Sequence, residues 1–299
     1  MQHIINRPAE ASGMLSIGGD LNVYRLGFGA MRLTGLGIWG PPTDKLEAIA
    51  VLRRALELGI NLIDTADSYG PEVSELLIAE ALYPYPKELV IATKGGLVRP
   101  GPNQWVPDGR PQHLREALEG SLRRLRLDHI DLYQFHRPDP KVPFEDSIAE
   151  FAKMKQEGKI RHVGLSNVTI DELARAQEIV PIVTVQNHYN LAGRASENMT
   201  AAESEAMVDI CARMGIGFIP WFPLATGELA RQGGLLDRIA RQHQAKPSQI
   251  AIAWLLQRSS TMLPIPGTSS VKHLEENVVG ATIKLTREEF VALDQSSQL

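Results

Sequence analysis

Eight times along this 299-residue chain a short apolar run closes on a polar or turn residue and gives way to a segment with helical spacing. The runs occupy 25–29, 61–64, 89–94, 130–136, 162–166, 183–187, 217–221 and 261–264. Strands joined through helices run parallel and are covered on both faces, which accounts for their nearly continuous apolar character. Strict alternation, with no Pro/Gly/Ser-rich stretch to divide it, predicts an α/β fold in which residues 1–299 form a single (β/α)8 TIM barrel rather than an open doubly wound sheet. Gly18, Gly19 and Asp20 mark the turn of an N-terminal β-hairpin.

The helices are signalled locally. Thr43 is positioned to cap a helix over 44–58, with Ile49, Leu52 and Leu56 on one stripe and Gly59 as its stop. Pro111 opens a helix over 111–125, whose Leu114, Leu118, Leu122 and Leu125 recur at helical spacing. Thr169 and Glu172 form the T-x-x-E pattern of a capping box. Further helices are predicted over 74–83, 144–157, 204–214, 248–257, 271–278 and 286–292. Cys211 is the only cysteine, which excludes an intrachain disulfide, and its setting in MVDICARMG reads as a packed helix face.

Charge and hydropathy narrow the function classes. The 31 Lys and Arg against 35 Asp and Glu give a net charge of −4, and the cations are scattered rather than clustered. That pattern offers no footprint for nucleic acid or an anionic membrane. The longest apolar run, 250–256, falls far short of the ~18 residues that span a bilayer, and the expected location is cytoplasmic. The histidines are dispersed without an HExxH or HxH pattern, so no metal site is expected.

In a barrel the chemistry lies where the strands end, so the residues closing each run matter most. They are Asp64, Lys94, His136, Ser166 with Asn167, Gln186 with Asn187, and Trp221. Tyr69 follows Asp64 by five residues in NLIDTADSYG. At one barrel mouth, Asp64, Tyr69, Lys94 and His136 make a proton-transfer set. A phenol with a pKa of ~10 is a weak acid at neutral pH, and an adjacent ammonium is expected to lower that value. Asp64 then neutralises and orients Lys94, and His136 hydrogen-bonds the reacting oxygen. GLGIWG also spells G-x-G-x-x-G at Gly35, Gly37 and Gly40, but Pro41 and Pro42 follow at once. A dinucleotide fingerprint needs a helix there, so this segment is expected to be a loop.

Several segments carry a family resemblance together: NLIDTADSYG, the lysine of VIATKGG, the histidine of DLYQFHRPDP, HVGLSNV, the Gln-Asn pair of VTVQNHYN, and LPIPGTSSVKHLEENV. In that order, and across nearly the whole chain, they resemble the aldo-keto reductases. The GPP segment after the first stave, the ALYPY helix end and IPGTSS resemble in particular a bacterial subgroup of pyridoxal-reductase-like enzymes. The resemblance implies transfer of a hydride from NADPH, with NADH as the alternative, to a small aldehyde or ketone, pyridoxal being the first candidate. It implies Tyr69 as proton donor, with Asp64, Lys94 and His136 completing the tetrad. It places Ser166, Asn167 and Gln186 at the nicotinamide carboxamide, a group that amide side chains suit as donors and acceptors. Trp221 would stack on the nicotinamide ring. Gly29, Met31, Pro223, Leu224, Glu276 and Asn277 are implied as further cofactor contacts. Gly267, Thr268 and Ser269 would receive the phosphates at the start of the following helix.

The chain departs from that family in two places. Many members carry a lysine and an arginine where Gly267 and His273 stand, so Thr268, Ser269, Lys272 and His273 are the residues left for a 2′-phosphate. The sequence stops at Leu299 without a long C-terminal loop, so the pocket walls are expected from earlier loops, with Trp39, Trp105 and Phe222 as candidates. Two other functions compete: a Schiff-base aldolase using Lys94 as nucleophile, and a nucleotide-sensing subunit with low turnover.

Overall fold

Seven parallel strands form the central sheet of the computed structural model, which describes residues 7–224 and 233–296. A hairpin precedes them: β1 (Met14–Ile17) pairs antiparallel with β2 (Leu21–Tyr24) around Gly18 and Gly19. Gly18 has φ 62°, and a Cβ there would stand 2.3 Å from the His162 ring, so both backbone and space require glycine. The sheet then follows as β3 (Phe28–Gly29), β4 (Leu62–Asp64), β5 (Val90–Gly95), a small hairpin of β6 (Leu97–Val98) and β7 (Val106–Pro107), β8 (Ile130–Phe135), β9 (Ile160–Ser166), β10 (Ile182–His188) and β11 (Gly217–Trp221). Its strand order is β11-β10-β9-β8-β5-β4-β3.

Helices follow the strands and cover the outside: α1 (Lys45–Glu57), α2 (Val73–Leu82), α3 (Pro111–Leu125), α4 (Phe144–Gln156), α5 (Ile170–Gln177), α6 (Ala201–Met214), α7 (Leu235–Gln242), α8 (Pro247–Arg258), α9 (Val271–Val279) and α10 (Arg287–Ser296). The Thr169/Glu172 capping box forms as expected, and a second one, Thr200 with Glu203, starts α6 three residues before the predicted boundary. The cap of α1 is Asp44 rather than Thr43, its carboxylate accepting from the Glu47 amide at 2.9 Å. The β6–β7 hairpin and α7 were not expected from the pattern. Residues 34–44, including Gly35, Gly37 and Gly40, contain no helix.

The eighth run, 261–264, is not a regular strand. Phe218 N–H donates to the Thr261 carbonyl, Leu263 N–H to Phe218, and Gly27 N–H to the Pro264 carbonyl, which ties the segment to both edges of the sheet. Pro264 and Pro266 lack the donors that would extend the ladder. Under the sheet, Ile17, Leu21 and Val23 of the hairpin pack with Leu62, Val90, Leu132 and Ile219, a second apolar cluster apart from the larger one beneath the helices. Cys211 is buried, and burial pushes its thiol up to about 12. Among the described residues no helix is long and apolar enough to cross a membrane.

Candidate active site

The parallel register sets the polar strand ends at one level. Lys94 lies beside Gln134, Gln134 beside Gly164, and Ser166 beside Gln186. A Cβ on Gly164 would come within 2.2 Å of Thr184 Oγ1 and 2.8 Å of Gln134 Cγ, so the glycine makes room for Gln134 on the sheet.

Lys94 has 0% of its surface exposed. Its Nζ donates to Asp64 Oδ1 at 2.5 Å, to the Thr65 carbonyl at 2.8 Å and to Tyr69 Oη at 3.2 Å. Three acceptors satisfy all three of its protons. Burial presses the ammonium toward its neutral form, but the charge of Asp64 and the bonds to Asp64 and Tyr69 outweigh it, and the lysine pKa ends above its ordinary value. The other Asp64 oxygen accepts from Gln134 Nε2 at 2.9 Å and from Gln186 Nε2 at 2.8 Å.

Tyr69 corrects an expectation. The ammonium does lower its pKa, but burial raises it by more, with Asp64 adding in the same direction, and the net shift is upward. The phenol is therefore held protonated at neutral pH. His136 is held neutral: burial, and then the charges of Lys94, Arg137 and Arg99, push its pKa well below the usual imidazole range. Its Nδ1 lies 3.3 Å from Ser68 Oγ, and its ring stands edge-on to Tyr69 with centroids 5.7 Å apart.

These groups open into a cavity of about 440 Å³, within the range of small-molecule sites. Asp64, Tyr69, His136, Ser166, Asn167 and Gln186 line it. Trp221 at the end of β11, Pro223 and Leu224 just after it, and Gly29, Met31 and Gly267 also line it. Lys94 lies beneath Tyr69 and does not reach the cavity surface. Trp105 and Phe222 line the cavity as expected; Trp39 does not, and sits instead beside the Arg99 guanidinium, 5.7 Å from ring centroid to Cζ.

The rest of the expected set lies outside this cavity. Thr268 Oγ1 accepts from the Ser270 amide, Ser269 is exposed, and Asn277 is buried. His273 Nδ1 lies 3.1 Å from Glu276, whose carboxylate also pairs with Lys246 at 2.5 Å. At the start of α9 the Val271 amide donates to Glu47 Oε1 at 2.8 Å, so a carboxylate already occupies one donor of the expected phosphate site.

Four participants escaped the sequence reading. Gln134 sits two residues before His136 in DLYQFH, and strand alternation alone puts both on the inner face. Ser68, next to Tyr69, had no such signal. Arg99, nearly buried, donates to the carbonyls of Gly37, Ile38, Ser68 and Gln104 and lies 3.6 Å over the Trp105 ring, so it clips three loops to the mouth. Arg137, directly after His136, lines the cavity.

A buried ammonium, a protonated phenol and a neutral imidazole meet at the strand ends of a barrel-like sheet, a set of groups whose chemistry suits proton transfer. The model of the aldo/keto reductase family matches residues 25–298, and the chain belongs to that family; it is an NAD(P)H-dependent oxidoreductase. An uncharacterized oxidoreductase of Schizosaccharomyces pombe is 54% identical over 290 residues, covering 97% of this chain and 92% of the relative. Pyridoxine 4-dehydrogenase of Escherichia coli is 44% identical over 287 residues, covering 94% and 97%. Among solved structures, a thermostable aldo-keto reductase in complex with the inhibitor epalrestat superposes with a TM-score of 0.80 at 29% identity, covering 94% of this chain and 98% of that one.

Proposed function

We propose that this chain is a single-domain closed (β/α)8 barrel that reduces a small aldehyde or ketone to the alcohol with NADPH, pyridoxal being the first substrate to test. The observation that carries the reading is the Lys94 ammonium 3.2 Å from the Tyr69 hydroxyl and 2.5 Å from Asp64. The three hydrogen bonds that join the 261–264 segment to both edges of the sheet support closure of the barrel. The similarity to pyridoxine 4-dehydrogenase, with the GPP, ALYPY and IPGTSS segments, supports pyridoxal.

The donor set fits a nicotinamide. Gln186 spends its amide nitrogen on Asp64 and Gln134, which leaves its carbonyl oxygen for a bound carboxamide. Ser166 Oγ accepts from Asn167 and keeps its own proton to give. The Asn167 side chain joins the His136 carbonyl to the Trp221 indole, whose N–H it accepts at 3.1 Å, and so fixes the plane against which a flat ring can rest. When bound, the reduced nicotinamide supplies the hydride.

Every other part of the reaction falls to the chain. The substrate carbonyl oxygen approaches Tyr69 Oη and the His136 ring. As negative charge develops on that oxygen, Tyr69 gives it a proton and the adjacent ammonium stabilises the phenolate left behind. Asp64 keeps the ammonium charged and in place, and Gln134 and Gln186 hold Asp64. His136, being neutral, can hydrogen-bond the oxygen without competing as an acid. The same charge state counts against a Schiff-base role for Lys94, because a protonated amine is not a nucleophile.

Arg32, which lines the cavity, and Lys272, at the start of α9, are the cations that support NADPH. One observation favours NADH as the second reading: Glu47 caps the start of α9, and Glu276 engages His273. The test is to mix the protein with NADPH or NADH and a panel of aldehydes including pyridoxal. The expected result is stoichiometric oxidation of the cofactor, faster with NADPH. Cofactor binding without turnover across the panel would contradict the reading and favour a nucleotide sensor.

A further inference from the structure

The catalytic cavity is bordered by more positive charge than its reaction uses. Among the described residues, Asp64 is the only carboxylate that lines it, and Asp64 is paired with Lys94. Arg32 and Arg137 both line it as well. Arg99 stands behind Trp105 with no carboxylate within 4 Å among the described residues. Arg32 reaches toward the Phe222 ring, 5.8 Å away. Arg137 directly follows His136 in the chain.

A second cavity, of about 650 Å³, adjoins the first, and Arg137, Asn167 and Trp221 line both. Arg137 thus lies where the two spaces meet. Among the described residues its Nε is buried with no hydrogen-bond partner and its one ion contact is a long one, Nη1 to Glu197 Oε2 at 3.4 Å, while the side chain as a whole is 36% exposed. The Glu197 side chain is 88% exposed, so water competes for it. Glu172, the other carboxylate of the second cavity, is committed to the Thr169 capping box. A buried N–H without a partner is costly, the half-buried guanidinium keeps its outer nitrogens accessible from the cavities, and the fork of Arg matches an oxyanion in two parallel bonds.

We propose that Arg137 is a specificity-determining residue that binds an oxyanion on the carbonyl substrate, with the remainder of the molecule extending into the second cavity. The inference rests on the carbonyl-reductase reading and narrows its substrate class to aldehydes and ketones that carry a carboxylate, phenolate or comparable anionic oxygen. Pyridoxal, with an ionisable ring oxygen beside its aldehyde, belongs to that class. Glu197 acts as the counter-ion that the substrate displaces.

The test compares 4-carboxybenzaldehyde with methyl 4-formylbenzoate, nearly equal in size and different in charge. In the parent protein the acid is expected to have the higher kcat/KM. Arg137→Gln should lower the acid-to-ester ratio of kcat/KM by about tenfold or more, through KM for the acid, as befits a lost charged hydrogen bond. Arg137→Lys should recover part of it. Glu197→Gln should raise the ratio about twofold. Binding of the product-like 4-(hydroxymethyl)benzoate, read by tryptophan fluorescence without turnover, should weaken in parallel in Arg137→Gln. A ratio and an affinity unmoved by Arg137→Gln overturn the proposal. If neither aldehyde is reduced yet 4-(hydroxymethyl)benzoate binding depends on Arg137, the anion site stands and the reductase reading fails.

Discussion

Lys94 keeps its charge at complete burial because Asp64 lies 2.5 Å away and two further oxygens take its remaining protons. Asp64, Lys94 and His136 were legible because polar groups at the ends of apolar strands do nothing for packing. The direction of the Tyr69 shift was not, since the sequence names the neighbouring cation but not the depth of burial that outweighs it. Asp67, two residues before Tyr69, makes the same point. Its Oδ1 is buried without a hydrogen-bond partner among the described residues, and burial, with Glu75 nearby, raises its pKa well above the carboxylate range. The folded state therefore holds a proton that the unfolded chain releases above pH ~4, and stability falls as pH rises through that window. Asp67→Asn removes the penalty. Thermal unfolding should show the variant gaining on the parent between pH 5 and pH 8, whereas a constant difference would contradict the assignment.

Elements were easiest to locate where a cap and a stripe coincide. Thr200-x-x-Glu203 repeats the pattern of Thr169-x-x-Glu172, and both boxes form. Thr200→Ala removes an acceptor from the Glu203 amide, and urea unfolding should register a loss of about 1 kcal/mol. No change would mean that solvent replaces the cap at no cost. The eighth stave shows the opposite limit: its apolar run was visible, but two prolines restrict it to isolated bonds with each edge. The Arg99 clip was invisible for a different reason, because it acts through backbone carbonyls of three loops, and carbonyls carry no residue identity. Arg99→Ala should cost about 3 kcal/mol of stability, several charged hydrogen bonds being lost at once. Thermal unfolding measures it, and a loss under about 1 kcal/mol would show that the loops hold without the clip.

At the scale of the whole molecule, the strands are packed from within as well as from outside. The hairpin inserts Ile17, Leu21 and Val23 under the sheet at the end away from the cavity. Strand alternation announced the site end, while the hairpin's role in filling the other end depends on a tertiary contact that no local pattern encodes. Ile17, fully buried, should cost about 2–4 kcal/mol when cut to Ala. Turnover per folded molecule should stay within about twofold, because the cavity lies at the other end. Denaturant midpoints and active-site titration together check this, and a large loss of turnover at normal stability would show that the hairpin also shapes the site.

The most direct measurement is single-turnover oxidation of pre-bound NADPH by an aldehyde in Tyr69→Phe. The lost proton donor should slow that step by about 10²- to 10⁴-fold, while NADPH affinity, read by fluorescence, changes less than about twofold. A variant that oxidises bound NADPH at the parent rate would contradict the claim that the Tyr69 hydroxyl, beside Lys94, is the acid.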